Sequence, residues 1–120
     1  MKIRLTIDDA VLTATLIDGA AARDFASLLP LELTLRDYAG KEKVSDLPRR
    51  LTIEGEPAGM DPDVGDLTYY APWGNLAIFY RDFGYADGLV KLGRIDSGVD
   101  ALARQRSDVK VHFERAEEKH

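Results

Sequence analysis

The chain of 120 residues contains no cysteine. That excludes a disulfide framework, a thiolate nucleophile, Cys-ligated zinc and iron-sulfur clusters together. Histidine is nearly as scarce, with His112 and His120 the two present. A His-based metal site or a Ser-His-Asp triad therefore has few parts to draw on, and His112 reads as an outward-facing strand residue. No apolar run approaches the roughly 18 residues that span a bilayer, and "MKIRLTIDDA" turns acidic at once instead of opening an apolar signal core. A cytoplasmic location and no membrane partner are the expectations. Positive charge is short as well, with 16 Lys+Arg against 21 Asp+Glu and a formal net charge of -5. Nucleic-acid binding needs a clustered basic footprint. Here Lys41, Lys43, Arg49 and Arg50 are interspersed with Glu42 and Asp46, so no nucleic-acid partner is expected.

Several motifs are missing too. Gly84, Gly88 and Gly93 do not form a GxGxxG, and no GxxxxGK[ST] occurs, so no nucleotide cofactor has a motif behind it. "DPDVGD" gathers Asp61, Asp63 and Asp66, but its glycine stands one position early for an EF-hand and Pro72 takes the place of the bidentate Glu. It reads as a solvated loop, and no metal is expected. Asp8 with Asp9, and Glu117 with Glu118, sit in a turn and a tail and read as solvated pairs.

What is present is an ordinary globular composition, 45% hydrophobic and 31% charged, and a length that suits one domain over residues 1–120. Ile3, Leu5 and Ile7 alternate with polar neighbours, and residues 11–17 continue the pattern after a turn at 8–10, which predicts a hairpin. Asp18 is placed to cap a helix carrying Ala21, Phe25, Leu28 and Leu29 at helical spacing, closed by Pro30. Residues 31–36 alternate as a third strand before the "YAGK" turn, and a polar segment follows. Residues 51–53 fit a short strand. "GEPAGMDPDVGD" (55–66) is a long loop of the kind that often carries function. Residues 67–71 and 76–80 flank "PWGN" as a hairpin, and "RDFGYADG" is a second Gly- and Asp-rich loop. A strand over 89–95, a short helix capped by Ser97 and a strand from Val109 to Phe113 complete the chain. About eight strands and two short helices, mostly joined by hairpins, predict a mainly β fold. Closing the sheet into a barrel removes its exposed edges, and eight strands leave an interior that side chains fill.

The order of these elements resembles the cyclophilin fold, and more closely the small bacterial cyclophilin-like proteins that keep its barrel and discard most of its loops. "AARDFASLLP" is similar to the segment in which cyclophilins place a Phe-bearing helix. "GDLTYYAPWGNLAIFY" resembles the paired strands before the central aromatic of that fold. "GLVKLGRIDSGVDAL" resembles the strand and helix written roughly as Val-x-x-Gly-[Lys/Arg]-Val-x-x-Gly-x-x-Val. The resemblance implies a closed cyclophilin-like barrel. It also implies prolyl isomerase activity where the family's Phe-His-Arg and Gln-Gly-Gly-Asp segments occur, since that arginine donates to the prolyl carbonyl. Neither segment is present. In "LPRRLTIEGEP", Arg49 or Arg50 stands near the expected arginine without the flanking Phe, His and Gln.

Parity along "YYAPWGNLAIFY" suggests a site. If Leu76 and Ile78 enter the barrel, Phe79 and Arg81 point outward, with Tyr70 on the partner strand beside them and Trp73 on the turn. Such a groove would stack on a ring and donate to a carbonyl or carboxylate. The plainer alternative puts Phe79 in the core or under the 82–88 loop, with Trp73 capping the barrel, because aromatics more often pack than bind. The expected role is binding of a small molecule or peptide in a groove lined by Tyr70, Trp73, Phe79 and Arg81 and reached by Arg49 or Arg50. An atypical peptidyl-prolyl isomerase is the second reading. A structural or oligomerisation module is the third, with monomer and dimer both open.

Overall fold

Alternation makes Lys2–Ile7 (β1) a strand with one buried face, on which Ile3, Leu5 and Ile7 are at most 1% exposed. It pairs antiparallel with Ala10–Leu16 (β2), whose Leu12, Ala14 and Leu16 enter the same interior. The computed structural model describes residues 1–8 and 10–116. Asp9 of the first turn, the Glu117 and Glu118 pair and His120 lie outside the described residues.

The helix Ala20–Ala26 (α1) buries Ala21, Ala22, Phe25 and Ala26, and Phe25 meets Phe113 edge to face at 6.1 Å. Asp18 does not cap it. The helix starts after Gly19 without a side-chain cap, and Asp18 pairs with Arg23 instead. A carboxylate from far along the chain satisfies one of the orphan amides, with Ala21 N donating to Glu56 Oε2 at 3.1 Å.

Leu31–Tyr38 (β3) turns into Glu42–Asp46 (β4), so the "polar segment" is a strand. Its first four residues are buried. A strand covered on both faces shows no polar-apolar alternation, which is why the pattern hid it. Residues 51–53 form no strand. Leu51 is an anchor, its side chain in the core and its amide donating to the buried Tyr69 Oη at 3.1 Å. The 55–66 loop contains a short strand, Gly59–Met60 (β5), followed by Asp66–Tyr70 (β6) and Asn75–Phe79 (β7). Ala86–Asp87 (β8) pairs with β5 in a separate two-stranded sheet. Leu89–Ser97 (β9), Val99–Ala103 (α2) and Val109–Arg115 (β10) follow, and Gly98 with φ near 90°, not Ser97, precedes α2.

The eight long strands close in the order β1-β10-β3-β4-β7-β6-β9-β2, every pair antiparallel. The fold is thus mainly β, a closed eight-stranded barrel with two short helices. α1 lies at the end where β10 finishes, tied by Arg115 Nη2 donating to Ala26 O at 3.0 Å. α2 lies at the other end, where Gln105 O just beyond it accepts from Lys43 Nζ at 2.7 Å. No helix among the described residues is long and apolar enough to cross a membrane.

Gly93 sits on β9 between β2 and β6, beside a register shift in its pairing with β6. A Cβ there would stand 2.9 Å from Leu16 Cα and closer still to Thr15 O. Those are backbone atoms of a closed barrel and have nowhere to move. Gly93→Ala should therefore lower unfolding free energy by at least ~2 kcal/mol in chemical denaturation. A loss under about 0.5 kcal/mol would show that the barrel wall yields there.

Candidate functional site

The parity of β7 divides its side chains between two cores. Leu76 and Ile78 join the barrel interior, whereas Ala77 and Phe79 leave it and pack with Val44 and Leu89 in a smaller outer cluster. Met60, Tyr70 and Ala86 pack against this outer cluster, so the β5-β8 sheet and the 82–88 segment roof the outside of the barrel wall. Phe79 is consequently 1% exposed and not an open stacking surface, because Phe83 covers it with ring centroids 5.4 Å apart.

Beneath that roof lies a cavity of about 170 Å³. Tyr38, Tyr70, Trp73, Phe79 and Phe83 supply its aromatic walls. Trp73 meets Tyr38 at 5.7 Å and Tyr70 at 5.4 Å, each ring nearly perpendicular to it. Trp73 itself is 57% exposed, standing at the rim. Val44, Ala86 and Leu89 complete the apolar lining.

Two polar side chains enter this apolar space. Asn75, at the start of β7, is buried, and its Oδ1 has no hydrogen-bond partner. An unpaired buried amide oxygen is uncommon and costs on the order of 1–3 kcal/mol. Glu42, at the start of β4, is 8% exposed. Burial first, and the negative charge of Asp37 second, push its carboxyl up to about 7. Sequence reasoning missed both. The signal for Glu42 was the "YAGK" turn, since a hairpin turn after β3 requires a returning strand through residue 42.

Lys43, the next residue, turns to the other face. Its Nζ donates to Gln105 O at 2.7 Å, lies 3.4 Å from Asp37 Oδ1 and stands 5.5 Å over the Tyr80 ring. Tyr80 Oη donates to the same Asp37 oxygen, and burial together with that bond pushes its phenol up to about 12. Asp37 is held below the usual carboxylate range, chiefly by the Tyr80 bond. These three side chains form a polar plug at the α2 end of the barrel.

Of the residues expected in the groove, Tyr70, Trp73 and Phe79 line the cavity and the arginines do not. Arg49 forks onto Asp24 of α1 at 2.8 and 3.1 Å, which lowers that carboxyl below its usual range. Arg50 Nη1 donates to Ala71 O at 2.7 Å and so braces the turn that carries Trp73. Arg81 is exposed with its guanidinium 6.0 Å from the Tyr80 ring. Asp61 and Asp63 are exposed, while Asp66 is buried, accepts from Asp63 N at 2.9 Å and faces Lys91 and Arg94. Among the described residues no three His, Asp or Glu side chains gather as a metal ion requires.

The sequence matches the Cyclophilin-like family over residues 5–114, and the chain belongs to that family. Among solved structures it is similar to the solution structure of a hypothetical protein from Archaeoglobus fulgidus. That likeness has a TM-score of 0.74 at 21% identity and covers 97% of this chain and 95% of the other. At this identity it establishes the shared fold alone. No curated protein matches the chain.

Glu42 makes the site measurable through stability. Its folded-state pKa, about 7, lies above the 4.5 of an ordinary glutamate. Between those values the folded protein holds a proton that the unfolded chain releases, so stability falls as pH rises through the window and levels off above it. The lowered Asp24 and Asp37 act in the opposite sense and only at more acidic pH. The melting temperature should decline between pH ~5 and ~7.5, and Glu42→Gln should flatten the decline. A wild-type curve that is flat or rising there would refute the buried, proton-holding carboxyl.

Proposed function

We propose that this cyclophilin-like protein is a binding module that takes a small ligand in the cavity beneath Trp73. One observation carries the reading: Asn75, whose buried Oδ1 has no hydrogen-bond partner, is among the residues that line an aromatic cavity of about 170 Å³. An apolar cavity of about 150 Å³ accepts a benzene ring, so this one suits a ring-sized molecule, and the amide oxygen supplies an orienting contact. A prolyl isomerase reading would need a donor at the prolyl amide oxygen. Arg49 and Arg50 are bonded elsewhere and Arg81 lies off the cavity, so the binding reading is preferred.

Oligomerisation through the same rim is the second reading, favoured by the exposure of Tyr38, Trp73 and Phe83 around one opening. If it holds, Trp73→Ala should halve the mass seen by light scattering at high concentration. A chain that is monomeric before and after the substitution dismisses it.

Trp73 is the single tryptophan of the chain, so its emission reports on the cavity directly. A screen of ring-sized compounds should find some that change Trp73 emission and raise the melting temperature together. At about 100 times the dissociation constant the added stability is roughly 2.7 kcal/mol. Trp73→Ala, at an exposed position, should leave the fold intact and abolish the thermal shift. A screen in which neither readout moves would end the binding reading.

A further inference from the structure

The polarity of the cavity narrows its ligand. Glu42 is the one Asp, Glu, Lys, Arg or His side chain in the lining. No protein group among the described residues forms a hydrogen bond or ion pair with its carboxylate. The neighbouring cation, Lys43, is committed on the far face of β4 to Gln105 O and Asp37. Asn75 Oδ1 adds a second acceptor without a donor. Asp37, close enough to act on Glu42 through space, deepens the negative potential. A buried carboxylate with no partner is costly, and a cation brought in from solvent relieves that cost where a neutral ligand does not and an anion adds to it.

The aromatic rings agree with this sign. Tyr38 and Tyr70 stand at 84° and 81° to Trp73, so three electron-rich rings border one recess. Rings so arranged attract an ammonium group through their quadrupoles, most strongly when the group is desolvated. The net charge of -5 favours the approach of cations to the molecule as a whole.

We infer that the ligand of this cavity is a small organic cation: a compact ammonium ion, primary or methylated, attached to an apolar or aromatic group. The inference rests on the binding reading above and adds the charge of what is bound. Glu42 takes the ammonium, Asn75 Oδ1 accepts from it or from a neighbouring N–H or O–H, and Trp73, Tyr38 and Tyr70 enclose its apolar surface.

The test titrates the intact chain at pH about 8 with benzylammonium, benzyltrimethylammonium, benzyl alcohol and benzoate, following Trp73 emission and amide NMR shifts of cavity residues. At least one of the two cations should bind at least tenfold more tightly than benzyl alcohol, and benzoate should bind weakest. Glu42→Gln should weaken the cation about tenfold or more and leave the alcohol within about twofold. Glu42→Asp should keep the preference. If Glu42→Gln fails to fold, the wild-type ranking decides alone. Alcohol or benzoate binding as tightly as the cations overturns this inference and leaves the binding reading standing. Silence of both cations overturns it as well, and the binding reading falls with it only if the screen of ring-sized compounds is silent too.

Discussion

The cavity exists because two very short strands meet over the outside of the barrel. Gly59–Met60 pairs with Ala86–Asp87, and the approach is closer than any side chain permits. A Cβ on Gly59 would lie 2.5 Å from Ala86 O and 2.6 Å from Tyr85 Oη. From this contact a run of backbone bonds leads to the rim: Gly88 N donates to Ala58 O at 2.7 Å, and Ala71 N donates to Gly88 O at 2.9 Å. Arg50 holds the same turn from the other side through Ala71 O. The two glycine-rich loops are therefore one tied roof, and their glycines are there for close approach as much as for turning. Remove that pairing and Phe79, Val44 and Leu89 become an exposed apolar face of the barrel wall.

With the roof in place, β4 is buried on both faces, and two adjacent residues meet burial in opposite ways. Lys43 points inward and is satisfied by the protein, with a carbonyl, a carboxylate and a ring around its amine. Glu42 points outward into the cavity and has nothing. A buried carboxyl without a partner shifts toward its neutral, protonated form, and the rise of Glu42 to about 7 is that response. The plug at the barrel mouth is complete, and the cavity one strand-face away is not. That contrast separates a polar cluster whose charges are paired within the protein from a carboxyl that is not.

The barrel was legible from sequence because most of its strands have one polar and one apolar face. Leu76 and Ile78 enter the interior while Phe79 leaves it, as period-2 parity requires. Strand β4 was illegible for the same reason in reverse, since burial on both faces erases the contrast that the eye follows. Helix caps were misplaced where a distant group does the work: nothing near Asp18 announces that Glu56 will reach Ala21 N. Tyr70, Trp73 and Phe79 could be grouped because one hairpin carries them. Tyr38, Glu42 and Phe83 come from β3, β4 and a roof loop, and only barrel closure and the β5-β8 pairing bring them to that hairpin.

The arginines carry the deeper lesson about polarity. Resemblance to prolyl isomerases points to a guanidinium aimed into the groove, and local sequence offers Arg49, Arg50 and Arg81 as candidates. Arg49 goes to Asp24, where it joins the 49–52 segment to α1 alongside Thr52 N at 2.7 Å from the same carboxylate. Arg50 goes to a backbone carbonyl, and Arg81 to the surface beside Tyr80. With no arginine in its wall, the cavity has Glu42 as its one charged side chain and Asn75, with an unpaired Oδ1, as its one amide. The barrel fixes where a pocket sits, but the sign of the groups left over in its wall decides what chemistry it meets. Here that sign is reversed from the one the family resemblance suggests.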